Sequence, residues 1–256
     1  MNKFISGVLC LFLIYLLSAC EGEGGSTNSS NASANDGTAG SRSRFALIDN
    51  YLYTISGRDL QLYDIEEPAS PNPWVKVSLD WDIETIFPYQ NYVLIGSETG
   101  VHILDNTTPG SPQYITEFTH GRSCDPVVAE NGIGYVTLNS AASCGRSGIN
   151  QLDVLDLTDL TAPKLIKTYP MQAPSGLAID GQWLFVCDGI AGLKVFDTTD
   201  AKKLTVVDKH PQVNCFDVIA KDATLYVSVK DRLIQYNYSS FPMDQLSELS
   251  TVTVTP

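Results

Sequence analysis

Three aspartates and two histidine–cysteine couples are the residues of this chain whose types and spacing could do chemistry. Asp82, Asp125 and Asp217 each stand at the start of an apolar stretch, and two carboxylates flanking one bond are what acid–base hydrolysis of a glycoside requires. His120 precedes Cys124 and His210 precedes Cys215, which are donor types that bind zinc and its neighbours. No Cys-x-x-Cys pair and no Ser, His and Asp arrangement accompanies them. The roles of these groups therefore depend on the compartment and on the elements that carry them.

The N-terminus speaks to the compartment. Lys3 is followed by an apolar run from Ile5 to Leu17, and the segment ends by residue 20, too short for a comfortable membrane span and of the form of a signal peptide. The closing residues Leu17-Ser18-Ala19-Cys20 resemble the lipobox of bacterial lipoproteins. That resemblance implies cleavage before Cys20 and lipidation of its sulfur and freed amine, and two or more acyl chains anchor stably. Residues 1–19 are thus predicted to be a cleaved leader, and 20–44 a lipidated cysteine with a tether. Residues 21–44 carry no large apolar side chain and cannot offset the entropy of ordering. Their mean reach is on the order of 25–30 Å. Glu21 and Glu23 resemble the acidic run that directs some Gram-negative lipoproteins to the outer membrane, the expected location within the cell envelope.

Acidic residues outnumber basic ones by 29 to 16, for a formal charge of −13. Nucleic acid and anionic lipid surfaces are poor partners for such a surface. The acids are scattered, as in a solvated exterior, and no cofactor is expected.

From residue 45 onward one pattern returns five times: an apolar strand, a polar turn, an aromatic-rich strand, a hairpin, then a strand ending in Asp or Asn. The endings are Leu60-Gln61-Leu62-Tyr63-Asp64, Val101-His102-Ile103-Leu104-Asp105, Leu152-Asp153-Val154-Leu155-Asp156, Leu193-Lys194-Val195-Phe196-Asp197 and Leu233-Ile234-Gln235-Tyr236-Asn237, spaced by 41, 51, 41 and 40 residues. A fourth strand follows each, often after a proline such as Pro112 or Pro163, where the missing N–H does least harm. Repeated sets of four short strands predict an all-β, five-bladed β-propeller over 45–256, with blades at about 45–82, 83–123, 124–173, 174–214 and 215–256. Blade 1 is expected to meet blade 5 without a shared closing strand, and the chain is expected to be a monomer. The segments Leu193-Lys194-Val195-Phe196-Asp197-Thr198-Thr199-Asp200 and Leu155-Asp156-Leu157-Thr158-Asp159 resemble the LVIVD repeat, a propeller-forming repeat of bacterial surface and exported proteins. The recurring aspartates read as turn formers that accept backbone N–H bonds.

Aligning the repeats gathers the chemistry of the opening paragraph on one face. Loops leading into first strands and loops between second and third strands emerge together there. Cys124 and Cys215 precede first strands, Cys187 ends a second strand, and Cys144 lies in the insertion 139–148 of blade 3. With Cys10 cleaved away and Cys20 lipidated, four cysteines remain in an oxidising compartment. The expected bridges are Cys124 with Cys144 and Cys187 with Cys215; a Cys and His metal site is the rival reading. The same face carries Trp81, Asp82, His120, Arg122, Asp125, Arg146, His210, Gln212, Asn214 and Asp217, aromatic and hydrogen-bonding groups that suit a glycan or a protein loop. The expected function is therefore a membrane-anchored, extracytoplasmic binding module for a glycan or envelope protein, without catalysis. The alternatives are a propeller glycoside hydrolase using Asp82, Asp125 and Asp217, and an envelope scaffold.

Overall fold

The computed structural model describes residues 40–79, 83–120, 126–140 and 148–254. They form five four-stranded antiparallel sheets, each built from strands in chain order. Blade 1 comprises β1 (Phe45–Ile48), β2 (Tyr51–Ser56), β3 (Asp59–Asp64) and β4 (Asn72–Ser78). Blade 2 comprises β5 (Ile83–Tyr89), β6 (Tyr92–Ser97), β7 (Gly100–Asp105) and β8 (Gln113–Thr119). Blade 3 comprises β9 (Val127–Glu130), β10 (Ile133–Asn139), β11 (Asn150–Asp156) and β12 (Lys164–Pro170). Blade 4 holds β13 (Leu177–Asp180), β14 (Trp183–Cys187), β15 (Leu193–Asp197) and β16 (Thr205–His210). Blade 5 holds β17 (Cys215–Lys221), β18 (Thr224–Val229), β19 (Arg232–Asn237) and β20 (Ser247–Thr253). The architecture is a five-bladed β-propeller, each blade complete in itself.

The strand-ending residues build the turns that return each chain to its outer strand. Asp64, Asp105, Asp156, Asp197 and Asn237 each accept, through Oδ1, the backbone N–H two residues on. In blades 2 to 5 that residue two positions on is Thr or Ser, and its hydroxyl donates to the same oxygen. Those Thr hydroxyls, and then the N–H bonds, hold the carboxyls of Asp105, Asp156 and Asp197 below their ordinary value. Their contribution is therefore present above the ordinary aspartate pKa and lost as pH falls through the lowered values.

Alternating side chains give every blade two faces, and four seams bury them. Separate apolar clusters join blades 1 and 2, 2 and 3, 3 and 4, and 4 and 5. A tyrosine hydroxyl straps each of these seams. Tyr53 donates to Asn106 Oδ1 at 2.7 Å and accepts from Gly110 N. Tyr89 accepts from Gly132 N and Tyr169 from Leu204 N, both at 2.7 Å. Tyr238 donates to Asp180 Oδ2. Burial, with Asp180 beside it, pushes the Tyr238 hydroxyl up, so it remains a donor.

The fourth seam is also covalent. Cys187 at the end of β14 is bonded to Cys215 at the start of β17, with Cα atoms 5.3 Å apart, as the repeat alignment predicts. Cys124 and Cys144 lie outside the described residues. The Cys187–Cys215 bridge closes a loop across a sequence separation of 28 residues, for which loop entropy gives about 3–4 kcal/mol. Replacing both cysteines with serine is expected to lower the unfolding free energy by that amount in urea denaturation. A loss under about 1 kcal/mol would mean that the seam's apolar cluster alone holds the two blades.

Candidate functional site

The rim at blades 4 and 5 is one described part of the face to which the sequence points. Asp188 follows β14 and is wholly buried. Its Oδ1 accepts the N–H groups of Gln172 and Ala173 at 2.8 and 2.9 Å, and its Oδ2 takes Lys194 Nζ at 2.5 Å. A buried carboxylate so engaged ties the lead-in of blade 4 to the β14–β15 loop. That loop turns through Gly189–Ala191 and ends at Gly192 with φ +82. A side chain at Gly192 would lie 2.1 Å from the His210 carbonyl oxygen, so glycine permits the loop to press on the lead-in of blade 5. The pressing leaves Ile190 80% exposed at the tip.

Across the disulfide, Val213 N donates to His210 O and Cys215 N to Val213 O, a tight turn that leaves Gln212, Asn214 and Phe216 exposed. Phe216 is 48% exposed, at a register shift between Cys215 and Asp217. His210 is committed within the blade: its Nε2 lies 3.0 Å from Asp208 Oδ2 and its ring 5.7 Å from that of Tyr236. His120 sits half-buried at the end of β8, its ring 6.4 Å from Phe118. Because Cys215 is in a disulfide, the metal reading lacks its thiolate there.

Asp217 serves the hub. Residues 40–44 are read from composition as the end of the tether, yet Gly40 and Ser41 are buried, Ser41 to 1% exposure, while Arg42 and Arg44 are exposed. Ser41 Oγ donates to Asp217 Oδ1 at 3.1 Å and accepts from Leu177 N at 2.8 Å, joining blades 5 and 4. Ser43 O accepts from Ile86 N of blade 2. Gly176 makes room, since a side chain there would lie 2.2 Å from Asp217 Oδ1. Desolvation pushes the Asp217 carboxyl up, against bonds from Ser41, Val218 and Arg42. Trp81, Asp82, Arg122, Asp125 and Arg146 lie outside the described residues, as does Cys20.

On the opposite face a cleft of about 540 Å³ opens between blades 3 and 4, lined among others by Glu130, Asn131, Gln182, Thr198 and Thr199. Its polar groups are partly spent on one another: Tyr135 bonds Thr198, Thr198 donates to Gln182 O, and Thr199 donates to Asp197.

No family model matches the chain, and no curated protein does. Solved structures do. A functionally unknown protein of Desulfotomaculum acetoxidans matches at TM-score 0.66 and 11% identity, over 85% of this chain and 70% of that one. The periplasmic gluconolactonase PpgL of Pseudomonas aeruginosa matches at 0.63 and 12%, over 80% and 68%. Apo AztD of Citrobacter koseri matches at 0.56 and 13%, over 80% and 59%. They share the propeller fold with this chain. The chain spans 59 to 70% of the length of these three.

Asp217 gives the site a measurable signature. Its raised pKa means that its contribution is fully present below the unfolded value of about 4 and is lost as pH rises through the folded one. Asp217→Asn removes that titration. The stability of the variant relative to wild type is expected to improve from pH 4 to pH 7 in urea denaturation, and a pH-independent difference would contradict the assignment. Asp217→Ala strands the Ser41 hydroxyl and the Arg42 N–H and is expected to cost about 1–3 kcal/mol.

Proposed function

We propose that this chain is a lipid-anchored binding module of the bacterial cell envelope, held to the outer membrane through Cys20, with its ligand engaged at the rim of blades 4 and 5. The observation that carries the reading is the pair of exposed apolar side chains, Ile190 and Phe216, on loops braced on either side of a disulfide. Apolar groups held rigid in water lose little entropy on binding, and with Gln212 and Asn214 beside them they suit a protein loop or the face of a sugar ring. The lipobox residues and an oxidised cysteine pair both favour an exported location. The LVIVD-like repeats agree with an envelope protein.

The hydrolase alternative draws its acid and base from Asp82, Asp125 and Asp217. Asp217 is spent on Ser41 and backbone N–H groups, which favours binding over catalysis. An envelope scaffold uses the same rim with a protein ligand.

Two measurements test the proposal. Radiolabelled palmitate is expected to enter the wild-type chain and not Cys20→Ser, which should leave the membrane fraction; equal labelling would remove the anchor. The lipidated chain in vesicles, applied to an array of bacterial surface glycans and cross-linked in envelope extracts, is expected to retain a glycan or an envelope protein. The double variant Ile190→Asp, Phe216→Asp should weaken that binding at least ten-fold with an unchanged melting temperature. Binding indifferent to both substitutions would place the site elsewhere.

A further inference from the structure

On the face opposite the rim, the first residue of each second strand meets the outer turn of the next blade at the mouth of a seam. Backbone bonds fix the equivalence of the turns. Asn106, Leu157, Thr198 and Tyr238 each donate N–H to the turn between the first and second strands of their own blade, and Pro109, Leu160, Ala201 and Phe241 follow three residues on. Three mouths are closed by an aromatic ring from the blade before. A side chain at Gly110 would lie 2.4 Å from the Tyr51 ring, Tyr92 and Leu160 pack on the second seam's cluster, and Trp183 meets Phe241 edge-on at 4.7 Å. Between blades 3 and 4 the corresponding residues are Ile133 and Ala201. They are too small to fill the mouth, and the cleft of about 540 Å³ opens there, over the apolar cluster on which Ile133, Ile179 and Ala201 pack.

This mouth is one that the repeat elsewhere fills, and its volume lies in the range of small-molecule sites, about 300–1,000 Å³. Its walls are set in advance: the Thr198 N–H and hydroxyl both donate to Gln182 O, and Tyr135 bonds the Thr198 side chain. Asn131 and Gln182 line it with exposed amides. Glu130 is the charged residue of the lining, and among the described residues no lysine, arginine or histidine lines the cleft with it. An anion is thus disfavoured. A plain hydrocarbon ring would strip water from the carboxylate and the amides and return no donor. A sugar ring meets both demands: its C–H face can lie on Ile133, Ile179 and Ala201, while its hydroxyls donate to a carboxylate that accepts several bonds and exchange bonds with an amide. We propose that the mouth of the seam between blades 3 and 4 binds an uncharged sugar ring, with Glu130 and Gln182 as its hydrogen-bonding partners and Ile133 and Ala201 in its floor. The site is separate from the rim at blades 4 and 5 and does not depend on binding there.

Sugar titration of the full-length lipidated chain, in a detergent without a sugar headgroup, tests it. The methyl glycosides of glucose, galactose, mannose and N-acetylglucosamine, with glucuronate and lysine methyl ester as charged probes, are applied at concentrations on the order of millimolar and read by saturation-transfer NMR. At least one uncharged glycoside is expected to bind, in preference to both charged probes. Ala201→Phe places in this mouth the ring that Phe241 places in the next. It is expected to lower the affinity at least ten-fold with an unchanged or higher melting temperature; should it misfold, Ile133→Trp fills the same space. Glu130→Gln leaves the cleft open and is expected to weaken binding at least ten-fold as well, by loss of charge-assisted bonds. Ile190→Asp with Phe216→Asp is expected to leave the glycoside affinity unchanged. Absence of glycoside binding to wild type overturns the inference, as does binding indifferent to the filled mouth or to Glu130→Gln, or tighter binding of either charged probe. Binding lost in the rim variant overturns it too and moves the sugar to the rim.

Discussion

A four-stranded blade has two apolar faces and can bury neither alone, so the seam between blades is the constraint on which this molecule depends. Each of the four sealed seams uses the same means: an apolar cluster, with a tyrosine hydroxyl bonded to the neighbouring blade. The cluster provides the drive, and the tyrosine sets the angle and height at which one sheet meets the next. Turn formers such as Asp105 and Asp156 are subordinate to this. They return the chain at the correct place for the outer strand, and their carboxylates are consumed in doing so.

The rim inherits its rigidity from the same arrangement. Asp188 and Lys194 would be costly as separate buried charges, but paired and bonded to two N–H groups they fix a loop whose tip can then be apolar and exposed. The disulfide works at the same place, joining the end of one blade's second strand to the start of the next blade's first. Two adjacent loops thereby share one frame.

How far the chain could be read in advance varied with the kind of signal. Strand order, blade count and the Cys187–Cys215 bridge were legible because period-two alternation and a repeat of about 40 residues determine which loops share a rim. Ser41 was not legible: in composition Gly40-Ser41-Arg42-Ser43 is continuous with the tether, and its burial comes from Asp217 and Leu177, far off in sequence. Asp217, like Asp82 and Asp125, sits near the start of a first strand, so its position could not distinguish a ligand group from a hub bond. Ile190 sits in a hairpin with glycines on both sides, and only the packing of Gly192 on His210 reveals where the tip points. Phe45, 58% exposed, reads as core because alternation reports that a face is apolar and is silent on what stands opposite.

The lead-in through the hub also has a mechanical meaning. A force applied at residue 40 is met by Ser41 and Ser43, which are bonded to blades 5, 4 and 2. The load is divided among three blades near the axis rather than peeling one outer strand from its sheet.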